Sequence, residues 1–158
     1  MFYINYYAKC YVVFLLEMDV YNQETHGFVY GATRHTQNLT SAAWVIYSPT
    51  YELISSSGIC LGRATNNLVE YHVVIGLLTK ASSDGISCMI VHLDSQLMVS
   101  QLNRNYSICD PTLLCFYRIL SLLDRSFDFI QYYYIPRKFN MIVDSLANYV
   151  LDWHLSHS

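Results

Sequence analysis

Three carboxylates, Glu70, Asp94 and Asp144, stand where ordinary surface chemistry explains them poorly. Asp94 closes the apolar run Cys88-Met89-Ile90-Val91-His92-Leu93, while Glu70 and Asp144 sit inside segments with amphipathic helical spacing. Oxygen donors on distant segments suit a hard divalent cation, because Mg²⁺ prefers oxygen ligands and can activate water or stabilise a phosphoryl transition state. Such donors meet only if a folded sheet gathers them, so the elements that carry them decide whether the chemistry is possible.

From Gly27 onward the apolar period changes several times. Gly27 to Thr33, Ala42 to Ser48 and Leu53 to Cys60 read as strands, divided by the polar stretch Arg34-His35-Thr36-Gln37-Asn38 and the turn Ser48-Pro49-Thr50. Three strands with short connections predict an antiparallel meander. Asn67, three residues before Glu70, is a suitable helix cap with an acid in the first turn, and Leu68, Tyr71, Ile75 and Leu78 follow at helical spacing. Ser87 to Leu93 reads as a buried strand, and Ser95 can cap a short helix containing Leu97, Met98, Val99 and Leu102. Asp110-Pro111 is a strong helix start, Phe127 to Ile135 a fifth strand, and Asn140 leads a last helix in which Val143, Ala147 and Val150 share a face.

Composition narrows the class. With 158 residues, 53% hydrophobic and 13% charged, the chain is too apolar for a disordered polymer and suits one domain, expected over 27–153 between an N-terminal extension, 1–26, and a short tail, 154–158. The run Cys10-Tyr11-Val12-Val13-Phe14-Leu15-Leu16 after Lys9 falls short of the roughly 20 apolar residues that span a bilayer, so no membrane role is expected. A net charge of −3 gives no global attraction to phosphate, so nucleic-acid contacts must be local. Five cysteines without CxxC or zinc spacing predict reduced, buried thiols in an intracellular protein, cytoplasmic or nuclear and not secreted. Fifteen tyrosines exceed what a core alone requires and predict rings at the surface or against a partner.

The element order is three strands, helix, strand, helices, strand, helix. Three motifs occur along it: Thr65-Asn66-Asn67-Leu68-Val69-Glu70-Tyr71, Val91-His92-Leu93-Asp94-Ser95-Gln96-Leu97, and Ile135-Pro136-Arg137-Lys138-Phe139-Asn140 followed by Asp144-Ser145-Leu146-Ala147-Asn148. Together they resemble the type 1 ribonuclease H domain, and more narrowly the version in polyproteins of plant long-terminal-repeat retrotransposons and related reverse-transcriptase-like proteins. The resemblance runs from about Phe28 to about Asp152.

That resemblance implies an α/β ribonuclease H-like fold: a five-stranded mixed sheet, three antiparallel strands then parallel additions, flanked by helices. It also implies endonucleolytic cleavage of RNA in RNA–DNA hybrids with two Mg²⁺ (or Mn²⁺) ions held by Glu70, Asp94 and Asp144, with a reverse-transcriptase domain as a possible partner. Asn66, Asn67 and Gln96 would face the minor groove of the hybrid, where 2′-hydroxyls distinguish RNA, and Arg137 would meet phosphate. Two ions about 4 Å apart need several carboxylates to offset their repulsion, which agrees with a cluster of acids.

The first strand departs from the family. Relatives read apolar residues, Asp, Gly, Ala; this chain reads Phe28-Val29-Tyr30-Gly31-Ala32. A tyrosine hydroxyl with a pKa near 10 is neutral at pH 7 and supplies no anionic oxygen. Glu24, six residues upstream, would lie roughly 20 Å away along a continuous strand. The expected outcome is an impaired nuclease; the competing readings are a catalytically inactive nucleic-acid-binding module and an interaction remnant that binds no nucleic acid. Each acid also has a plainer explanation, as a helix cap for Glu70 or Asp94 and a solvated helix acid for Asp144. His92, two residues before Asp94, is expected to be a hydrogen-bonded core histidine, since Mg²⁺ prefers oxygen.

Overall fold

Strands that must bury both faces need unbroken apolar sequence, and the centre of this chain provides it. The computed structural model describes residues 24–34, 38–50, 52–62, 66–103, 107–136 and 156, apart from the side chains of 30–34, 66 and 67. Its elements are β1 (Thr25–Arg34), β2 (Leu39–Tyr47), β3 (Leu53–Gly62), α1 (Asn66–Ser83), β4 (Cys88–Leu93), α2 (Gln96–Leu102), α3 (Pro111–Asp124) and β5 (Phe129–Tyr134). They form one sheet of order β3-β2-β1-β4-β5. β1, β2 and β3 pair antiparallel, then β4 joins β1 and β5 joins β4 in parallel, so the mixed sheet implied by the resemblance is present.

Local chemistry explains the joints. Asn38, in the hairpin between β1 and β2, takes a left-handed φ of 49°, which asparagine tolerates better than most residues. Asp110 caps α3 as expected: Oδ1 accepts from the amides of Thr112 at 2.8 Å and Leu113 at 3.1 Å, with Pro111 in the first turn. Ser95 caps α2, its hydroxyl accepting from the Met98 amide at 3.2 Å. α1 begins at Asn66, so Asn67 is a helical residue and not the cap, and Glu70 is the fifth residue and not part of the first turn. Adjacent polar residues Thr65-Asn66-Asn67 make such a start ambiguous by a residue or two.

The core lies between the sheet and α1, with α3 beside it. Val69, Val73 and Leu77 of α1 pack on Val29, Ala42, Trp44, Ile46, Met89 and Val91, and Leu120 of α3 joins them. Each such side chain contributes roughly 1.5–3 kcal/mol on leaving water. α1 sits low on β1 because Gly27 has no side chain: a Cβ there would come within 2.8 Å of the Leu77 side chain. Fixing α1 this closely fixes the height of Glu70 above the sheet.

Two expectations change. All four described cysteines are free, yet none is buried: Cys60 and Cys88 are partly covered, and Cys109 and Cys115 are exposed. Cys115 shares the outer side of α3 with exposed Ile119 and Leu122, because the apolar stripe of that helix is wider than the face it buries. Surface tyrosine is found, although the run Tyr132-Tyr133-Tyr134 passes from buried to exposed along β5 and does not alternate. No described helix is long and apolar enough to cross a membrane. Residues 1–23 of the expected extension (1–26), the last helix from Asn140 and the residues Arg137 and Asp144 lie outside the described residues.

Candidate functional site

Asp94 follows β4 at the carboxyl end of the parallel part of the sheet, where open α/β sheets place their sites. Its backbone is held from both sides. The Ile135 amide bonds to the Leu93 carbonyl at 2.7 Å, and Ser95 begins the capped turn of α2. Farther along α2, Asn103 Nδ2 donates to the Tyr132 carbonyl at 3.1 Å, tying the helix back to β5.

Glu70 reaches this point from α1. Burial, then the charge of Asp94, pushes its carboxyl up to about 7, against a hydrogen bond from Ser95 that acts the other way. Ser95 therefore serves twice: its oxygen accepts from Met98 while its proton goes to Glu70. Oε2 of Glu70 is buried with no hydrogen-bond partner among the described residues. A half-desolvated carboxylate facing a second carboxylate is an unfavourable arrangement that a hard cation would relieve. The two acids thus fit a divalent ion, and hydroxyl and carboxylate oxygens are the right donor type.

Six further residues are expected at this site from the sequence. Among the described residues no group of three His, Cys, Asp or Glu side chains assembles that could hold a metal, and the third acid, Asp144, lies outside them, as does Arg137. Asn66 and Asn67 open α1, four and three residues before Glu70, with their side chains outside the description. Gln96 is the first residue of α2 and is exposed. Tyr30 lies on β1, opposite Ala43 of β2. The last parallel pair is Phe28 with His92, and continuing that register by two residues would bring Tyr30 level with Asp94.

His92 is a core residue, 1% exposed, as expected. Its Nε2 lies 3.1 Å from Nδ1 of His26, which is 0% exposed, and its ring stacks on Phe28 with centroids 4.5 Å apart. Burial first, and then His26, hold its pKa well below the usual value, so the ring is neutral at pH 7. His26 went unremarked in the sequence, where the only signal was a second histidine in a strand-forming run. A surface pocket of about 230 Å³ between α1 and β2–β3, walled by Trp44, Ser57, His72 and Gly76 among others, includes neither acid.

Comparison with known proteins agrees with the fold. The reverse transcriptase-like family matches residues 28–150. Ribonuclease HI of Halobacterium salinarum is 32% identical over 127 residues, covering 80% of this chain and 64% of that protein. A bifunctional protein of Mycobacterium tuberculosis is 35% identical over 100 residues, 28% of its length, so the chain spans less than two thirds of these relatives. The crystal structure of the Halobacterium RNase H1 superposes with a TM-score of 0.77 at 32% identity, covering 82% of this chain and 98% of that one. The N-terminal RNase H domain from Mycobacterium tuberculosis gives 0.78 at 28% identity, covering 85% and 99%. LC11-RNase H1, solved in complex with an RNA/DNA hybrid, shares the fold with a TM-score of 0.77 at 23% identity, covering 84% and 99%. With a family match over most of its length and RNase H1 neighbours on nearly all of theirs, this chain belongs to the reverse transcriptase-like family and is a ribonuclease H1-like domain.

Proposed function

We propose that the site is built for metal-dependent endonucleolytic hydrolysis of RNA in RNA–DNA hybrids, and that Tyr30 leaves this activity weak or absent. The observation that carries the reading is the buried, unpartnered Oε2 of Glu70 beside the charge of Asp94. Glu70, Asp94 and Asp144 would hold Mg²⁺ or Mn²⁺, which when bound supplies an activated water and neutralises charge at the leaving oxygen. Glu70, close to half protonated at pH 7 before ligation, must release its proton to bind, so cation affinity rises with pH. Asn66, Asn67 and Gln96 would read 2′-hydroxyls, and Arg137 would meet phosphate.

The register of β1 and β4 supports the impairment. Level with Asp94 on the continued register, the chain offers a phenol in place of an acid, and a neutral oxygen cannot share in balancing two divalent charges. The motif spellings favour descent from a plant long-terminal-repeat retrotransposon, in which a reverse-transcriptase domain would be the partner. The free thiols suit an intracellular setting, cytoplasmic or nuclear. The same Tyr30 favours a second reading, a binding module that recognises hybrid without cutting it.

A labelled hybrid incubated with the protein in Mg²⁺ or Mn²⁺ tests this. Wild type should cut weakly or not at all, and Tyr30→Asp should gain cleavage. Vigorous wild-type cleavage abolished by Asp94→Asn would refute the impairment. Hybrid binding by an inactive wild type would support the binding module.

A further inference from the structure

We propose that the hydrogen bond between Tyr71 and Gln101 is a positioning clamp that sets the spacing of Glu70 and Asp94. The inference rests on reading those two acids as a divalent-cation site. Tyr71 follows Glu70 on α1 and is 0% exposed; its hydroxyl donates to Oε1 of Gln101 at 2.8 Å, and Gln101 is 5% exposed. Gln101 lies near the end of α2, whose other end is Ser95, the donor to Glu70. Two adjacent residues of α1 therefore grip α2 at both ends, over six residues or about 9 Å of helix. A short helix held at one end can pivot about it; held at both, it fixes the direction in which Asp94 leaves β4.

The chemistry argues for position over plain stability. A buried hydrogen bond contributes little net free energy compared with an apolar pair of the same shape, yet it tolerates only one geometry. A phenol keeps its proton throughout the neutral range, so the Tyr71 hydroxyl remains a donor to Gln101. Hydrogen bonds that orient metal ligands commonly govern metal affinity without touching the ion. Tyr71 and Gln101 are thus positioning residues.

The test separates clamp from packing. Tyr71→Phe strands the Gln101 amide in the core, whereas Tyr71→Phe/Gln101→Leu replaces the pair with apolar surface and should restore thermal stability. In both variants the Mn²⁺ dissociation constant, read by electron paramagnetic resonance, should rise about tenfold. Exchange of the Met98 and Val99 amides, which bond to Ser95, should accelerate by a similar factor without metal. A double variant with wild-type exchange would overturn the clamp, as would one with wild-type Mn²⁺ affinity where Asp94→Asn weakens that affinity. Asp94→Asn serves as the control for the underlying reading: if it leaves Mn²⁺ affinity unchanged while exchange in the double variant accelerates, the cation assignment fails and the clamp stands on exchange.

Discussion

Two polar pairs lie at neighbouring levels of the same strand and are treated in opposite ways. At His92 the imidazole is enclosed by His26 and Phe28, meets its partner at 3.1 Å and is kept neutral by burial. Two residues on, Asp94 is set against a second acid whose buried oxygen has no hydrogen-bond partner among the described residues. The first pair is neutral and makes one hydrogen bond within the core; the second sets two carboxyl groups of like charge together, a repulsion that a proton or a cation relieves. A neutral, hydrogen-bonded pair marks architecture, and a buried pair of like charge marks a site awaiting a ligand.

The histidine pair should matter most for stability. His26→Ala removes a buried ring and strands Nε2 of His92, and should cost about 2–4 kcal/mol in denaturant unfolding. If His26 is purely architectural, the surviving folded protein keeps its Mn²⁺ affinity; a parallel loss of affinity would merge the two pairs into one site.

Glu70→Gln sharpens the other side. The folded carboxyl titrates near 7 against an ordinary 4.5, so the folded state binds the extra proton between those values. Without metal, stability should fall as pH rises through that window, by on the order of 1–2 kcal/mol after allowing for solvent screening. Glu70→Gln should flatten that fall and leave the metal-free protein more stable than wild type at pH 8, while losing stabilisation by Mn²⁺. Thermal unfolding at pH 5 and pH 8, with and without Mn²⁺, reads both effects.

The smallest expected effect lies away from either pair. Asp110→Ala removes the cap of α3 and should cost about 1 kcal/mol, with no change in Mn²⁺ affinity at any pH.

What could be read from the sequence was local or periodic. The caps at Ser95 and Asp110, the meander and the buried run ending at Asp94 announce themselves through residue type at fixed offsets. Long-range pairings do not: His26 with His92, 66 residues apart, and Tyr71 with Gln101, 30 apart, leave no mark in a single sequence. Cys115 misled because an apolar neighbourhood in a helix does not reveal which part of a wide stripe is covered. The start of α1 slipped by two residues because three consecutive polar residues can each serve as a cap. Tyr30 was legible as a departure only beside the family's motif, and its level with Asp94 follows from continuing the register of β1 and β4.

The proposed site requires that Glu70 and Asp94 act together as a cation-binding pair. Calorimetric titration of Mn²⁺ into the wild type, Glu70→Gln and Asp94→Asn at pH 7.5 tests it most directly. Mn²⁺ should bind the wild type saturably and at least about tenfold more weakly in each variant. Equal affinity in all three proteins would contradict it.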